Sequence, residues 1–179
     1  MLPMLETLTT LLLPWSELYA DSAWIPTTIL AVHVLALFAG GGIAIAADRR
    51  VLLATPGTRE AYQAAAEDLR TTHAIVIGSL VMMVISGVAL ATSDIGTFAV
   101  SKVFWAKMAT FTVLIGNGAY MRLTESRVLT AATDAGVVID KTTQWPSPHL
   151  PWAVLKRSAT VSLVSWFVVV LLGVVLSDI

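Results

Sequence analysis

Four residues within otherwise apolar stretches have side chains that could take part in chemistry. His33 is the one titratable side chain of a long apolar stretch near the N-terminus, and Lys107 interrupts a later one. Met82 and Met83 lie at the centre of the stretch between them. Imidazole is the usual axial ligand of b-type haem iron, a thioether is a known second ligand, and an ammonium group can pair with a haem propionate.

Each of these residues also has a purely structural explanation. His33 can be a neutral histidine that donates to a carbonyl, and Lys107 can extend its stem toward the membrane surface. Met82 and Met83 are ordinary packing residues in many cores. A third possibility is copper handling, because thioethers and imidazole suit copper. His73 begins its span about half the membrane thickness from His33, so the two histidines cannot share one iron.

The composition is that of an integral membrane protein. The chain has 179 residues, of which 56% are hydrophobic and 13% charged, with a mean hydropathy of +0.79. A soluble domain has about a quarter of its residues charged. The net charge of -1 gives no indication of a nucleic-acid partner. The absence of cysteine excludes disulfides, thiolate metal sites, iron–sulfur clusters and covalently attached c-type haem.

The apolar stretches predict four membrane spans, at residues 25–47, 74–92, 98–121 and 159–176. At about 1.5 Å per residue each is close to the length that crosses a hydrocarbon core of about 30 Å. The polar helical stretch from residue 58 to 72 is expected to run directly into the second span. Before the first span, Pro14 is expected to end a short apolar run, which predicts an N-terminal helix lying in the membrane interface.

The basic residues predict the orientation of these spans. Nine of the eleven lysines and arginines fall in the first and third connections and at the start of the fourth span. The positive-inside rule then places both termini on the extracytoplasmic side. We therefore predict an all-α, single-domain, up-down four-helix transmembrane bundle covering residues 1–179. In that topology His33, Lys107, Met82 and Met83 lie at similar depth, although helix rotation decides whether they face one site.

The motif AVHVLALFAGGG, which contains His33, and the motif FWAKMATFTVLIGNGAY, which contains Lys107, carry a family resemblance. They resemble the first and third helices of small bacterial four-helix membrane proteins related to HemJ-type protoporphyrinogen oxidases, and of CopD-like domains. The second span, with SGVAL near its end, is also similar. The resemblance implies that His33 and Lys107 form the functional pair, with the histidine associated with a b-type haem. The histidine that the family carries at the end of its third helix is absent here.

We therefore expect a multi-pass protein of the bacterial inner membrane that binds a b-type haem or porphyrin, in electron transfer or porphyrin-linked oxidation. His33 is the expected metal ligand, Lys107 the expected catalytic and cofactor-binding residue, and Met82 and Met83 the further cofactor-binding candidates. The alternative is a non-catalytic accessory subunit without its own cofactor, which packs against other membrane subunits or against further copies of itself. The sequence leaves open whether the protein is an enzyme.

Overall fold

The computed structural model describes the backbone of residues 2–53, 59–134 and 149–176, with side chains for residues 5–53, 72, 74–123 and 153–176. Every element in these ranges is helical. In chain order they are α1 (Leu2–Asp21), α2 (Trp24–Leu53), α3 (Arg59–Ser93), α4 (Ile95–Val100), α5 (Lys102–Asp134) and α6 (His149–Leu176). The proline-containing segment before α6 lies outside the described residues.

Three helical stretches are long and apolar enough to cross a membrane: Trp24–Leu53, Ala74–Ser93 and Ala153–Leu176. They coincide with the first, second and fourth predicted spans, and α3 runs without a break from Arg59 into its apolar half, as predicted. α5 covers most of the third predicted span but is not among the three stretches. Lys107 and Asn117 lower its hydropathy. The protein is therefore a helical membrane protein with three strongly apolar helices.

Two predicted boundaries are wrong. α1 does not end at Pro14 but continues through it to Asp21. A proline removes one backbone hydrogen bond, and tertiary contacts can compensate for this loss. Here the indole Nε1 of Trp15 donates to the carbonyl of Ala89 at 3.3 Å, and the Ser16 hydroxyl donates to the carbonyl of Ser93 at 2.8 Å. The second half of α1 is thus held against the end of α3.

The third predicted span does not begin as one helix near residue 98. Asp94 first caps the short helix α4, because its carboxylate accepts a hydrogen bond from the Thr97 N–H at 3.2 Å. Ser101 then takes an extended conformation that ends α4, and its hydroxyl accepts from the Phe104 N–H at 3.3 Å. Side-chain caps of this kind satisfy the first free N–H groups of a helix. They break the predicted span into α4 and α5.

A buried core joins the four long helices. We call it the central core: Ala36 of α2, Met83 of α3, Leu114 of α5 and Trp166 of α6. Trp166 is the largest fully buried side chain in the described part of the chain, with 2% of its surface exposed. Because lipid is as apolar as these side chains, tight packing and not the exclusion of water must hold the helices together.

Two adjacent glycines let α2 approach both of its neighbours closely. A Cβ built on Gly40 would lie 2.7 Å from the Cβ of Ser79 on α3. A Cβ built on Gly41 would lie 3.0 Å from the ring of Trp166 on α6. Small residues at such contacts are the usual basis of helix association in membranes. α2 therefore lies between α3 and α6, and α5 packs on the far side of α6.

The contacts also fix the directions of the long helices. Gly40 meets Ser79 while His33 meets Ser86, so α2 and α3 are antiparallel. Gly41 meets Trp166 while Asp48 meets Ser162, so α2 and α6 are antiparallel. α5 and α6 are antiparallel as well, because Asn117 pairs with Ser158 and Lys107 lies against Gly173. The long helices alternate in direction in the predicted up-down order.

The outer faces of these helices are apolar. Several large side chains there are more than half exposed, among them Leu35, Phe38, Ile85, Phe167 and Leu171. Large apolar side chains are exposed on the outside of the bundle, whereas serines and glycines are buried inside it. A soluble helical protein has the opposite distribution of apolar and polar side chains. It is the surface expected of helices that face lipid acyl chains.

The glycine contacts predict different responses to two neighbouring substitutions. Gly40→Ala forces α2 and α3 apart at Ser79 and should destabilise the folded protein by about 1–3 kcal/mol, the usual cost of overpacking. Gly42→Ala is the matched control, because nothing lies within 4 Å of a Cβ at that position. It should leave stability unchanged or raise it by up to about 1 kcal/mol through helix propensity. Thermal unfolding in detergent micelles measures both, and equal effects would contradict the close contact.

Candidate functional site

His33 faces α3 and forms a hydrogen bond with a buried serine. Its Nδ1 lies 2.9 Å from the Oγ of Ser86, which is only 4% exposed. The antiparallel packing of α2 on α3 brings these two residues to the same level. A polar side chain in an apolar helix must find its partner inside the protein. Ser86 is that partner for His33.

The hydrogen bonds of Ser86 favour one tautomer of His33. The Ser86 hydroxyl donates to the carbonyl of Met82 at 2.7 Å, one turn back on its own helix. A hydroxyl has a single proton, and while that proton goes to Met82 the Ser86 oxygen accepts from the histidine. In this arrangement His33 is protonated at Nδ1, and the carbonyl of Met83, 3.3 Å from the same Oγ, is a second acceptor near the ring. In the neutral ring the lone pair belongs to Nε2.

A glycine lies directly against the ring of His33. A Cβ built on Gly87 would be 3.3 Å from Cε1 and 3.8 Å from Nδ1 of the imidazole. The contact with Cε1 is tighter than most side chains accept, so the ring would have to shift slightly to make room for a methyl group. The absence of a side chain at Gly87 thus helps to set the position of the histidine.

Lys107 projects from α5 toward a second glycine. A Cβ built on Gly173 of α6 would lie 3.5 Å from the Nζ of Lys107, so the stem lies along the bare backbone of that helix. The side chain is half-buried, and it is close enough to His33 to interact with it electrostatically. Within the described part of the chain, no carboxylate forms an ion pair with it. The ammonium group thus has no anionic protein partner in those residues.

His33 and Lys107 lie at the same level of the bundle, as predicted from the sequence. Gly41 of α2 is opposite Trp166 of α6. His33 lies eight residues before Gly41 on α2. Gly173, which contacts Lys107, lies seven residues after Trp166 on α6. Each of these distances along the helix axis is about 10–12 Å. Because the two helices are antiparallel, both residues move toward the same end. The central core closes off the site below them.

The structure separates the two methionines. Met83 belongs to the central core and is 4% exposed, on the same face of α3 as Ser86. Met82 is 45% exposed on the outer surface of the helix. Only the Met82 carbonyl takes part in the His33 network, through Ser86. His33 and Lys107 therefore share a level with Ser86 and Gly87, while Met82 does not join the buried core.

The sequence did not identify Ser86, Gly87 or Gly173 as neighbours of the candidate pair. Ser86 and Gly87 both lie in the SGVAL motif, but their role depends on the register of α3 against α2. The Ser86 hydroxyl can hydrogen-bond to the carbonyl of Met82 on its own helix. The local sequence therefore does not indicate that this serine is a partner of a histidine. The side chains of His73 and His149 lie outside the described residues.

No group of three or more histidine, cysteine, aspartate or glutamate side chains that could hold a metal ion occurs in the described residues. Haem iron can be held by a single histidine, so a haem site does not require a group of three metal-binding side chains. Comparisons with family models, with curated proteins and with solved structures find no match to this chain. Any function of this chain must therefore be inferred from the geometry of the site.

The hydrogen bond of His33 predicts the effect of removing its acceptor. Ser86→Ala leaves a buried N–H with a weaker partner and should destabilise the protein by about 1–3 kcal/mol. Thr112→Ala is the control, because the exposed Thr112 hydroxyl bonds only to the carbonyl of Met108 on its own helix. That variant should change stability by less than about 0.5 kcal/mol. Equal unfolding temperatures for the two variants would show that Ser86 does not support His33.

Proposed function

We propose that this protein binds a b-type haem or a related porphyrin between its helices, with Nε2 of His33 as the axial ligand to iron. One observation carries the proposal: Nδ1 of His33 lies 2.9 Å from the oxygen of Ser86, whose hydroxyl donates to the Met82 carbonyl. This arrangement favours a proton on Nδ1 and leaves the Nε2 lone pair available. Histidines that bind metals commonly donate their other ring N–H to an oxygen acceptor, which holds the ring and its tautomer. The donor chemistry of the site thus fits a haem held by one histidine.

Lys107 supplies the second element of the proposed site. It is a cation near His33, on another helix, without a carboxylate partner among the described residues. An unpaired charge inside a membrane is costly, and a propionate would supply the missing counter-charge through a charge-assisted hydrogen bond. Lys107 would then orient the cofactor, or hold a proton beside it. When bound, haem iron supplies one-electron transfer.

The proposal includes a fourth membrane crossing by α5. The polar groups that lower the hydropathy of this helix turn into the bundle: Lys107 lies on Gly173, and the Asn117 amide exchanges hydrogen bonds with Ser158 at 2.9 Å. Its exposed face carries Val113 and Ile115. A helix that pairs its polar groups internally and exposes apolar ones is suited to lipid despite a modest average hydropathy.

The basic residues support the proposed orientation. Arg49, Arg50, Lys156 and Arg157 all lie at the end of the bundle away from His33. The positive-inside rule assigns that end to the cytoplasmic side, which puts both termini and the haem site toward the extracytoplasmic side of a bacterial inner membrane. The resemblance of the His33 and Lys107 motifs to HemJ-type proteins supports the same pair of residues. We infer a role in electron transfer or porphyrin-linked oxidation.

The proposal predicts a haem spectrum in the protein purified in mild detergent from cells supplied with haem. The wild type should show a Soret band that shifts on reduction with dithionite, together with a sharp reduced α band. His33→Ala should remove these bands while the protein still inserts into the membrane, because the axial ligand is gone. A Soret band retained in His33→Ala would exclude His33 as the ligand. A featureless wild-type spectrum, with other proteins co-purifying, would instead favour the accessory-subunit alternative.

Two matched pairs of variants test the surroundings of the ligand. Gly87→Ala pushes on the His33 ring and should weaken haem retention about tenfold or more, as expected from a loss of about 1.4 kcal/mol or more. Gly78→Ala on the same helix has open space for its Cβ and should retain haem normally. Lys107→Met should also release haem more readily, whereas Lys102→Met, at an exposed position, should not. Haem titration into the apoprotein measures all four.

A further inference from the structure

A buried carboxyl group lies far from the candidate haem site. The first predicted span ends at residue 47, just before Asp48, but α2 continues to Leu53 and the Asp48 side chain is only 4% exposed. It turns toward α6, where the Ser162 hydroxyl donates a hydrogen bond to it. Its Oδ2 is buried and has no hydrogen-bond partner in the described part of the chain.

Apolar layers enclose this carboxyl on both sides along the bundle. Toward the basic end, one turn away, lies a buried cluster of Val51, Leu155 and Ala159, the last of them fully buried. Toward the other end lie Gly41 and the ring of Trp166. The Asn117 amide is already paired with Ser158 and is not available to Asp48. The carboxyl thus has one hydroxyl donor and no evident access to water.

Several charged groups lie near this level on the packed helices. They are Arg49 and Arg50 on α2, Lys156 and Arg157 on α6, Arg122 on α5, and Arg70 and His73 on α3. The arginines at 49, 50, 122 and 157 are exposed, and Lys156 is half-buried. The side chains of Arg70 and His73 lie outside the described residues. Among the side chains that the structure describes, the surroundings of the carboxyl are therefore mainly apolar.

An ionised carboxylate in such a place is costly unless it is well paired, so it takes up a counter-ion or becomes neutral. A sodium ion or a divalent cation requires about six oxygen ligands. Among the described side chains, the oxygen ligands identified at Asp48 are its own two oxygens and Ser162. A proton requires no more than one carboxylate oxygen. The oxygen that accepts from Ser162 is then the carbonyl oxygen, and the other oxygen carries the proton.

We propose that Asp48 and Ser162 form a proton-binding site inside the bundle, in which the folded protein keeps the Asp48 carboxyl protonated at pH values where an exposed aspartate is ionised. Release of that proton would place a negative charge between α2 and α6 and weaken their contact. The site is independent of haem binding, and it places a protonatable group in the half of the bundle that carries the basic residues.

Infrared difference spectroscopy of the purified protein tests this directly. At about pH 5, where an exposed aspartate is ionised, wild type minus Asp48→Asn should contain the C=O stretching band of a protonated carboxylic acid, which shifts in D₂O. Wild type minus Asp21→Asn should lack it, because Asp21 is exposed. If Asp48→Asn does not fold, Ser162→Ala is the second variant: loss of its hydrogen bond should shift the carboxylic acid band. The absence of a protonated-acid band in wild type would overturn the proposal.

Thermal unfolding as a function of pH is the second readout. An unfolded aspartate is ionised at neutral pH, so the folded protein binds more protons and its stability should fall as pH rises. Asp48→Asn keeps a neutral side chain and should lose this component of the pH dependence, while Asp21→Asn should keep it. Replacing choline chloride with sodium chloride should change nothing. Stabilisation of the wild type by sodium that is absent in Asp48→Asn would overturn the proposal in favour of a metal cation.

Discussion

A hydrocarbon environment offers no hydrogen-bond partners, so each polar side chain on the apolar helices has to find one within the bundle. The arrangement of the long helices follows from this constraint. His33 is paired with Ser86, Asn117 with Ser158 and Asp48 with Ser162, and each pair joins two different helices. These bonds require a fixed register, and the glycines at 40 and 41 bring the helices close enough to form them.

The polar pairs are sorted into two layers with an apolar layer between them. His33, Ser86 and Lys107 lie on one side of the central core, and the Asp48 and Asn117 pairs lie on the other. Trp166 is the largest side chain of the apolar layer and is almost fully buried. The proposed cofactor ligand therefore lies in one half of the bundle, and the proposed protonatable carboxyl lies in the other.

The sequence was sufficient to predict what depends on local composition. Long apolar runs identified the helices near residues 25–47, 74–92 and 159–176, and helical rise placed His33 and Lys107 at one level. It failed where tertiary contacts decide. Pro14 predicts a helix end, but the contacts of Trp15 and Ser16 hold α1 together beyond it. Asp48 follows the predicted first span directly, and the sequence does not show that its side chain is buried toward α6.

The candidate site shows the same limit. Histidine and lysine are conspicuous in an apolar stretch, whereas Ser86 and Gly87 are ordinary small residues of a membrane helix. Their importance comes from the face that α3 turns toward α2, which small residues determine through close packing and which hydropathy does not encode. The chemistry proposed for His33 depends on this pairing, because the bond to Ser86 favours the tautomer in which Nε2 keeps its lone pair.

The tautomer of His33 is therefore the most direct test of the account. It can be measured by ¹⁵N NMR of the haem-free protein labelled at its histidines, with His33→Ala to assign the signals. The account predicts a neutral His33 ring protonated at Nδ1, with an unprotonated Nε2 whose signal disappears when ferric haem is added. A ring protonated at Nε2, or an Nε2 signal that haem leaves unchanged, would contradict it.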